Sequence, residues 1–252
     1  MIDNNWYNKL GDEWWDADGR AFLLHEMNPT RTAYFLSILQ LHKLEPGQSR
    51  ILDVGCGGGL VSEKLVRAGY HMTGLDLSLP SLHVANLHAH KIATGLEAKI
   101  INYVCGRAEC LPFPDSTFEV VVSSDFLEHV GPNLDKVLAE MARVLKPNGL
   151  LLYDTINRTL LSRLVVIWGA RLLARRLPPN VHSWPYLIKP AELIAKMQKM
   201  DINSQEICGL SPRLTKWRIP CHYVKYGKIG GFKLSRDTTL SYIGWGSKTT
   251  KV

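Results

Sequence analysis

Apolar positions in this chain recur in two rhythms. Short dense runs, namely Ile51, Leu52 and Val54, then Val120-Val121-Val122, then Leu150-Leu151-Leu152, have the continuity of strands buried on both faces. Met72-Thr73-Gly74-Leu75 and Ile101-Asn102-Tyr103-Val104 read as further strands. Between them lie stretches with helical spacing: a run ending near Leu44, then Val61, Leu65 and Val66, then 81–95 and 134–145. The last is amphipathic and stops at Lys146-Pro147-Asn148-Gly149. Strands alternating with helices predict an α/β fold, a mostly parallel seven-stranded sheet with helices on both faces. The short strands and turns across 202–245 would supply its last members.

The first strand breaks into four glycines within five residues, Gly55, Gly57, Gly58 and Gly59, before the helical spacing resumes. A strand, a glycine turn and a helix opening let the backbone approach a ligand closely at a helix N-terminus. Asp76 ends the second strand 21 positions after Gly55, where an acidic residue can grip two ribose hydroxyls. Leu60 replaces the glycine that a dinucleotide fingerprint would require, and Asp53 would repel a pyrophosphate. A nucleoside lacking phosphates fits better.

Charge divides the chain. Residues 1–150 carry 13 Lys and Arg against 18 Asp and Glu, whereas residues 151–252 carry 17 against 5. The basic half suggests contact with an anionic surface, lipid or nucleic acid. Long aliphatic runs interrupt it, which suits lipid better than the aromatic-basic groove of an RNA-binding module. Five cysteines (56, 105, 110, 208 and 221) lack paired short spacing and read as reduced thiols. Residues 1–5 lack the basic and apolar regions of a signal peptide, and no apolar run approaches the ~20 residues that cross a bilayer. A cytoplasmic chain, peripheral to a membrane if associated with one, is expected.

The Asp53-Val54-Gly55-Cys56-Gly57-Gly58-Gly59 run followed by Gly74-Leu75-Asp76 resembles class I S-adenosylmethionine-dependent methyltransferases. The order Trp14-Trp15-Asp16, Leu24-His25 and Asn28-Pro29-Thr30-Arg31 is similar to the opening of the ubiquinone-pathway O-methyltransferases, and the resemblance covers almost the whole chain. It implies S-adenosylmethionine as cofactor, with Arg31, Asp53, Gly55, Gly57, Gly59, Asp76, Ala108 and Ser124 around it. Arg31 would reach the methionine carboxylate, as a guanidinium fork suits; tying down the N-terminal helix is the alternative. Arg107 stands where many relatives carry Asp, leaving the backbone of Ala108 as the adenine contact.

After the fourth strand comes Ser124-Asp125-Phe126-Leu127-Glu128-His129, similar to the family's E-x-x-E-H with Asp in first place. If Asp125 opens a helical turn, Glu128 and His129 fall on its side at i+3 and i+4. The resemblance implies Mg2+ on Asp125, Glu128 and His129; a metal-free helix cap with a packing or substrate-orienting histidine stays open. His129 is the candidate general base for a phenolic proton, with Asp125 and Glu128 beside it.

Residues 159–177 are apolar but carry Arg163, Arg171, Arg175 and Arg176, and resemble the insertion this family places over its acceptor site, while Asp237 to Tyr242 resembles its final strand. A lid that touches lipid head groups and a core-packed hairpin both suit it. The chain is read as one domain: an N-terminal helical segment (1–47), a cofactor-binding core (48–157), a helical insertion (158–187) and the C-terminal part of the sheet (188–252). The function implied is O-methylation of a phenol or catechol, a prenylated quinol precursor, with a lipophilic quinol as partner, an anionic membrane surface nearby and no nucleic acid. Another lipophilic phenol, or a non-catalytic S-adenosylmethionine- or RNA-binding module, are the alternatives.

Overall fold

A computed structural model of the chain describes residues 5–92, 101–168, 182–214 and 218–250. One eight-stranded sheet runs in the order β3-β2-β1-β4-β5-β8-β6-β7. Its strands are β1 (Arg50–Val54), β2 (His71–Asp76), β3 (Ile101–Cys105), β4 (Phe118–Ser124), β5 (Leu145–Ile156), β6 (Ile202–Pro212), β7 (Phe232–Ser235) and β8 (Ser241–Lys248). β3, β2, β1, β4 and β5 pair in parallel, while β8 enters antiparallel between β5 and β6. The chain leaves β1 towards β2 on one side and returns to β4 on the other. Between the carboxyl ends of β1 and β4 this reversal opens a crevice, the usual place for a ligand in such a sheet.

The central strands are apolar throughout because both faces are covered. Leu52, Val54, Val121 and Leu151 pack on Val137, Leu138 and Met141 of the helix Leu134–Val144, and on Leu193 and Met197 of the helix Pro190–Lys199. On the other face, Ile51, Val120, Val122 and Leu152 meet Phe35, Ile38 and Leu39 of the helix Phe22–Leu41, with Leu65 and Val66 of Leu60–Arg67. Truncating such a side chain to Ala costs about 2–5 kcal/mol, so these two layers fix the platform beneath the crevice. Leu10 and Trp14 pack with Leu60 and Val84 in a smaller cluster that lays the N-terminal segment across the strand ends.

Three features depart from the expected layout. The sheet gains an eighth strand, β7, whose four residues pair with the end of β6. The long helix Phe22–Leu41 docks this edge: the Glu26 carboxylate accepts the backbone N–H groups of Ile229 and Gly230, and Thr30 Oγ1 donates to the carbonyl of Phe232. A helix, Arg218–Tyr226, stands where only strands and turns were expected. The last strand begins at Ser241, so Asp237 to Leu240 form the loop before it. Residues 169–181 of the predicted insertion, with Arg171, Arg175 and Arg176, lie outside the described residues. Its opening is a short turn, Leu160–Ser162, capped by Thr159 and continued as a π-helix, Arg163–Trp168.

Candidate active site

The glycine turn follows β1 directly. Gly55 and Gly57 have φ of 78° and 51°, and a Cβ would stand 2.1 Å from the Phe126 ring at the first and 2.5 Å from Trp14 at the second. Only glycine satisfies both conditions there. Leu75 on β2 accepts the N–H groups of Gly55 and Cys56, and Asp76 Oδ2 accepts that of Gly57 at 2.9 Å. Asp76 Oδ1 takes the N–H of Ser78 at 2.7 Å. Burial pushes the Asp76 carboxyl up, while the bonds from Ser78 and Gly57 pull it back. Gly59 belongs elsewhere: its missing side chain makes room for the Tyr103 hydroxyl and Ala85, and it does not line the cavity.

Beneath the turn, buried Asp53 accepts from Ser62 Oγ at 2.7 Å. Burial pushes its carboxyl up to about 7, against the bond from Ser62. Deeper still, Arg31 Nη2 donates to Asp154 Oδ2 at 2.7 Å, and Ser124 Oγ to Asp154 Oδ1 at 2.6 Å. Arg31 and Asp154 are 2% and 1% exposed, so the pair is fully desolvated. Its partners are not exhausted, because Arg31 Nε is buried without a hydrogen-bond partner. Asn28, three residues earlier, donates to the carbonyl of Leu60 and so moors this helix to the one after the glycine turn.

Asp125 does not open an α-helix. Its φ is 52°, its N–H is bonded to the Asp154 carbonyl, and only a 3-10 turn, Leu127–His129, follows. The i, i+3, i+4 spacing therefore does not set the geometry of this cluster. Glu128 is wholly buried and its Oε2 accepts from Thr155 Oγ1 at 2.6 Å. His129 Nε2 stands 3.3 Å from the hydroxyl of Tyr7, and its ring lies 4.9 Å from that of His182. Burial opposes the charge of Asp125, but Arg31, then His182 and His129, hold its carboxyl below the usual range. Burial, then the proximity of Asp125, drive the Glu128 carboxyl up. Burial also lowers His182, leaving a neutral imidazole near pH 7.

These side chains frame a cavity of about 400 Å3. Gly57, Asp76 and Ala108 line one end, Asp125 and His129 the other, with Arg31, Asp53 and Ser124 between them. Ala108 is buried, whereas the Arg107 side chain is 64% exposed and pairs with Glu109. Tyr7 and Trp14 roof the cavity, with ring centroids 5.8 Å apart and Trp14 Nε1 donating to Ser81 at 3.1 Å. The roof and His182 were missed as site residues. An aromatic N-terminus was visible in the sequence, but nothing in its spacing pointed to the glycine turn.

The residues fit S-adenosylmethionine: a side-chain-free turn, an acid at the end of β2 and a cavity that continues to an imidazole. They do not fit Mg2+ on Asp125, Glu128 and His129. Among the described residues the group with ligand atoms converging is Glu128, His129 and His182, and Asp125 is not part of it. Two imidazoles and one carboxylate are a poor set for an ion that takes oxygen ligands and keeps several waters.

Comparison with known proteins agrees with this geometry. The methyltransferase domain model matches residues 52–153. The chain is 37% identical to the ubiquinone biosynthesis O-methyltransferase of Hahella chejuensis, covering 84% of this chain and 86% of that protein. It is 35% identical to that of Nitrosococcus oceani, over 96% and 93%. With the mitochondrial protein of that name from Arabidopsis thaliana it shares 32%, over 96% and 72%. Among solved structures, an S-adenosylmethionine-dependent methyltransferase from Methanosarcina mazei superposes with a TM-score of 0.58 at 20% identity, covering 84% of this chain and 97% of that one. Magnesium protoporphyrin IX methyltransferase from Synechocystis with bound S-adenosylhomocysteine gives 0.60 at 16%, over 86% and 82%.

Asp53 yields a pH test. Its folded value of about 7 lies above the roughly 3.9 of a solvated Asp, so the folded state holds a proton that the unfolded chain releases between those values. Its contribution to stability is therefore greatest below about pH 4 and falls as pH rises to about 7. Wild type minus Asp53→Asn should decline by about 2–4 kcal/mol between pH 4 and pH 8 in urea titrations. A pH-independent difference would show that Asp53 is ionised throughout.

Proposed function

The chain belongs to the ubiquinone biosynthesis O-methyltransferase family, and from that premise we propose that it methylates a phenolic hydroxyl on a lipophilic, prenylated quinol precursor. It is an S-adenosylmethionine-dependent enzyme; the acceptor is the part that is inferred. The observation that carries the inference is the Tyr7 hydroxyl, a phenol already 3.3 Å from His129 Nε2 at the acceptor end of the cavity. An acceptor phenol taking that position would displace the Tyr7 hydroxyl and present its proton to the same nitrogen.

Bound S-adenosylmethionine supplies a methyl group activated by a sulfonium. Asp76 and the glycine turn would hold the nucleoside, and Arg31 would turn the rest of its guanidinium fork to the methionine carboxylate. Transfer of that methyl group to the acceptor oxygen would leave the cofactor as a neutral thioether. His129 would take the hydroxyl proton on Nε2. Glu128 lies behind it, fixed by Thr155. Most of the acceleration then comes from alignment of oxygen, carbon and sulfur, with proton removal second. No step needs magnesium.

A prenylated acceptor resides in the bilayer, so the enzyme would have to sample the membrane surface. No helix among the described residues is long and apolar enough to cross one. Leu160, Leu164 and Val165 are exposed at the start of the insertion, next to Arg163, and the second half of the chain is strongly basic. That mixture suits reversible contact with anionic lipid, each basic residue contributing about 1 kcal/mol near the surface.

Two variants separate the two ends of the cavity. His129→Asn should lower kcat by about 10²–10⁴ with little change in S-adenosylmethionine affinity. Asp76→Ala should instead weaken that affinity by about 1.5–3 kcal/mol in calorimetry. Unchanged turnover in the first, or unchanged affinity in the second, removes that residue from its role. Flotation should show binding to anionic vesicles that is lost at high salt and absent with neutral ones. Equal partition into both would leave the insertion as a pocket cover alone.

A further inference from the structure

Trp14 and Trp15 are adjacent in the chain but serve different places. Trp14 roofs the cavity, and its Nε1 donates to Ser81 Oγ near the start of the helix Leu79–Ile92. Trp15 lies flat on His88 of the same helix, with ring centroids 3.5 Å apart and planes 6° from parallel. It also stands edge-on to His25, at 6.3 Å and 71°. Ser81 and His88 are seven residues apart, two turns along one helix face, so the two tryptophans grip that face at two points. Behind the stack, His88 Nδ1 pairs with Glu63 Oε1 at 2.7 Å, and Glu63 is buried on the helix that opens from the glycine turn. His25 Nε2 donates to the Trp14 carbonyl at 2.8 Å, which ties the pair of tryptophans to the helix Phe22–Leu41. Trp15 Nε1 is buried with no hydrogen-bond partner among the described residues, so the ring face carries the contact.

The two grips differ in what else they hold. Ser78 Oγ donates to Ser81 Oγ, and the Ser78 N–H is bonded to Asp76 Oδ1, so the Trp14 grip shares a network with the acid at the end of β2. None of Trp15, His88 and Glu63 lines the cavity. A cofactor that rearranges the bonds of Asp76 therefore disturbs the first grip and leaves the second in place. We propose that Trp15 and His88 are positioning residues for the methyl transfer: their stack, oriented by Glu63, holds the aromatic roof over the bound cofactor and raises its affinity without touching it. The inference rests on S-adenosylmethionine filling the cavity and is independent of which phenol is the acceptor. Histidine suits position 88 because an imidazole offers a flat face to Trp15 and a nitrogen to the Glu63 carboxyl at once. A flat aromatic contact contributes modestly beyond the area it buries, so its loss should read as about 3–10-fold in affinity.

The test is calorimetry of the full-length protein with S-adenosylmethionine and S-adenosylhomocysteine. Trp15→Ala and His88→Ala should each weaken both ligands by about 3–10-fold. The double variant should bind no more weakly than the weaker single one, because both substitutions remove one contact. Trp15→Phe keeps a flat ring and should stay within about twofold of wild type. KM for S-adenosylmethionine should rise with the dissociation constant while kcat at saturation changes by less than about threefold, a split that general loss of structure would not give. In wild type, S-adenosylhomocysteine should slow amide exchange across residues 5–16, a reading that needs no variant to fold. Unchanged affinity in the single variants, additive losses in the double one, or exchange unaffected by the ligand would each overturn the proposal. Wild type that binds neither ligand would overturn the cofactor reading along with it. Tight wild-type binding that Trp15→Ala leaves unmoved would overturn the roof anchor alone.

Discussion

The buried pair of Arg31 and Asp154 is the constraint on which the site depends. It joins the long N-terminal helix to β5 at a point with almost no water, where the attraction must offset the cost of desolvating both ions. The pair is held on several sides: Ser124 donates to the second Asp154 oxygen, and the Asp154 backbone carbonyl accepts from Asp125. One acidic residue thereby sets the guanidinium direction, the end of β4 and the left-handed bend that turns the chain towards Glu128 and His129. Removing one partner of such a pair generally costs about 3–5 kcal/mol, because the other charge is left buried alone. Here it would also loosen the floor of the cavity, coupling stability to chemistry at one place.

Above that floor the two ends of the cavity are built differently. The cofactor end is chiefly backbone: the N–H groups of the glycine turn bond to the Leu75 carbonyl and the Asp76 carboxylate. The acceptor end is side chain: buried carboxyls and imidazoles whose charges set one another. Against burial, Arg31 and then His182 and His129 hold the Asp125 carboxyl low, while burial and the nearby Asp125 push the Glu128 carboxyl up. Pairs of carboxyls driven apart in this way are a frequent mark of sites that move protons or hold cations. The aromatic roof of Tyr7 and Trp14 spans both ends, which makes the N-terminal segment part of the site.

Local features were legible in the sequence, and contacts between distant segments were not. The glycine turn, the place of Asp76 and the apolar strands rest on periodicity and spacing within a few residues, and the structure has them where expected. Asp125 misled because helical spacing was assumed across a residue whose bond to β5 forces a positive φ. β7 is only four residues long and follows two glycines, too short to show alternation. The helix Arg218–Tyr226 carries Pro220 in its first turn, which reads as a break when nothing reveals the cap. His182 could not have been joined to His129 by any periodicity, since the contact is made by the fold as a whole. Arg31 was placed in the site from its motif, yet its partner Asp154 lies 123 positions away.

The central claim is that this cavity carries a methyl group from sulfur to a phenolic oxygen. The most direct measurement is mass spectrometry of products formed with methyl-deuterated S-adenosylmethionine and a panel of phenols and catechols. Labelled methyl ethers should form in step with S-adenosylhomocysteine, with lipophilic ring substituents favoured. Label on carbon or nitrogen, or no labelled product from any hydroxylated ring, would contradict the account.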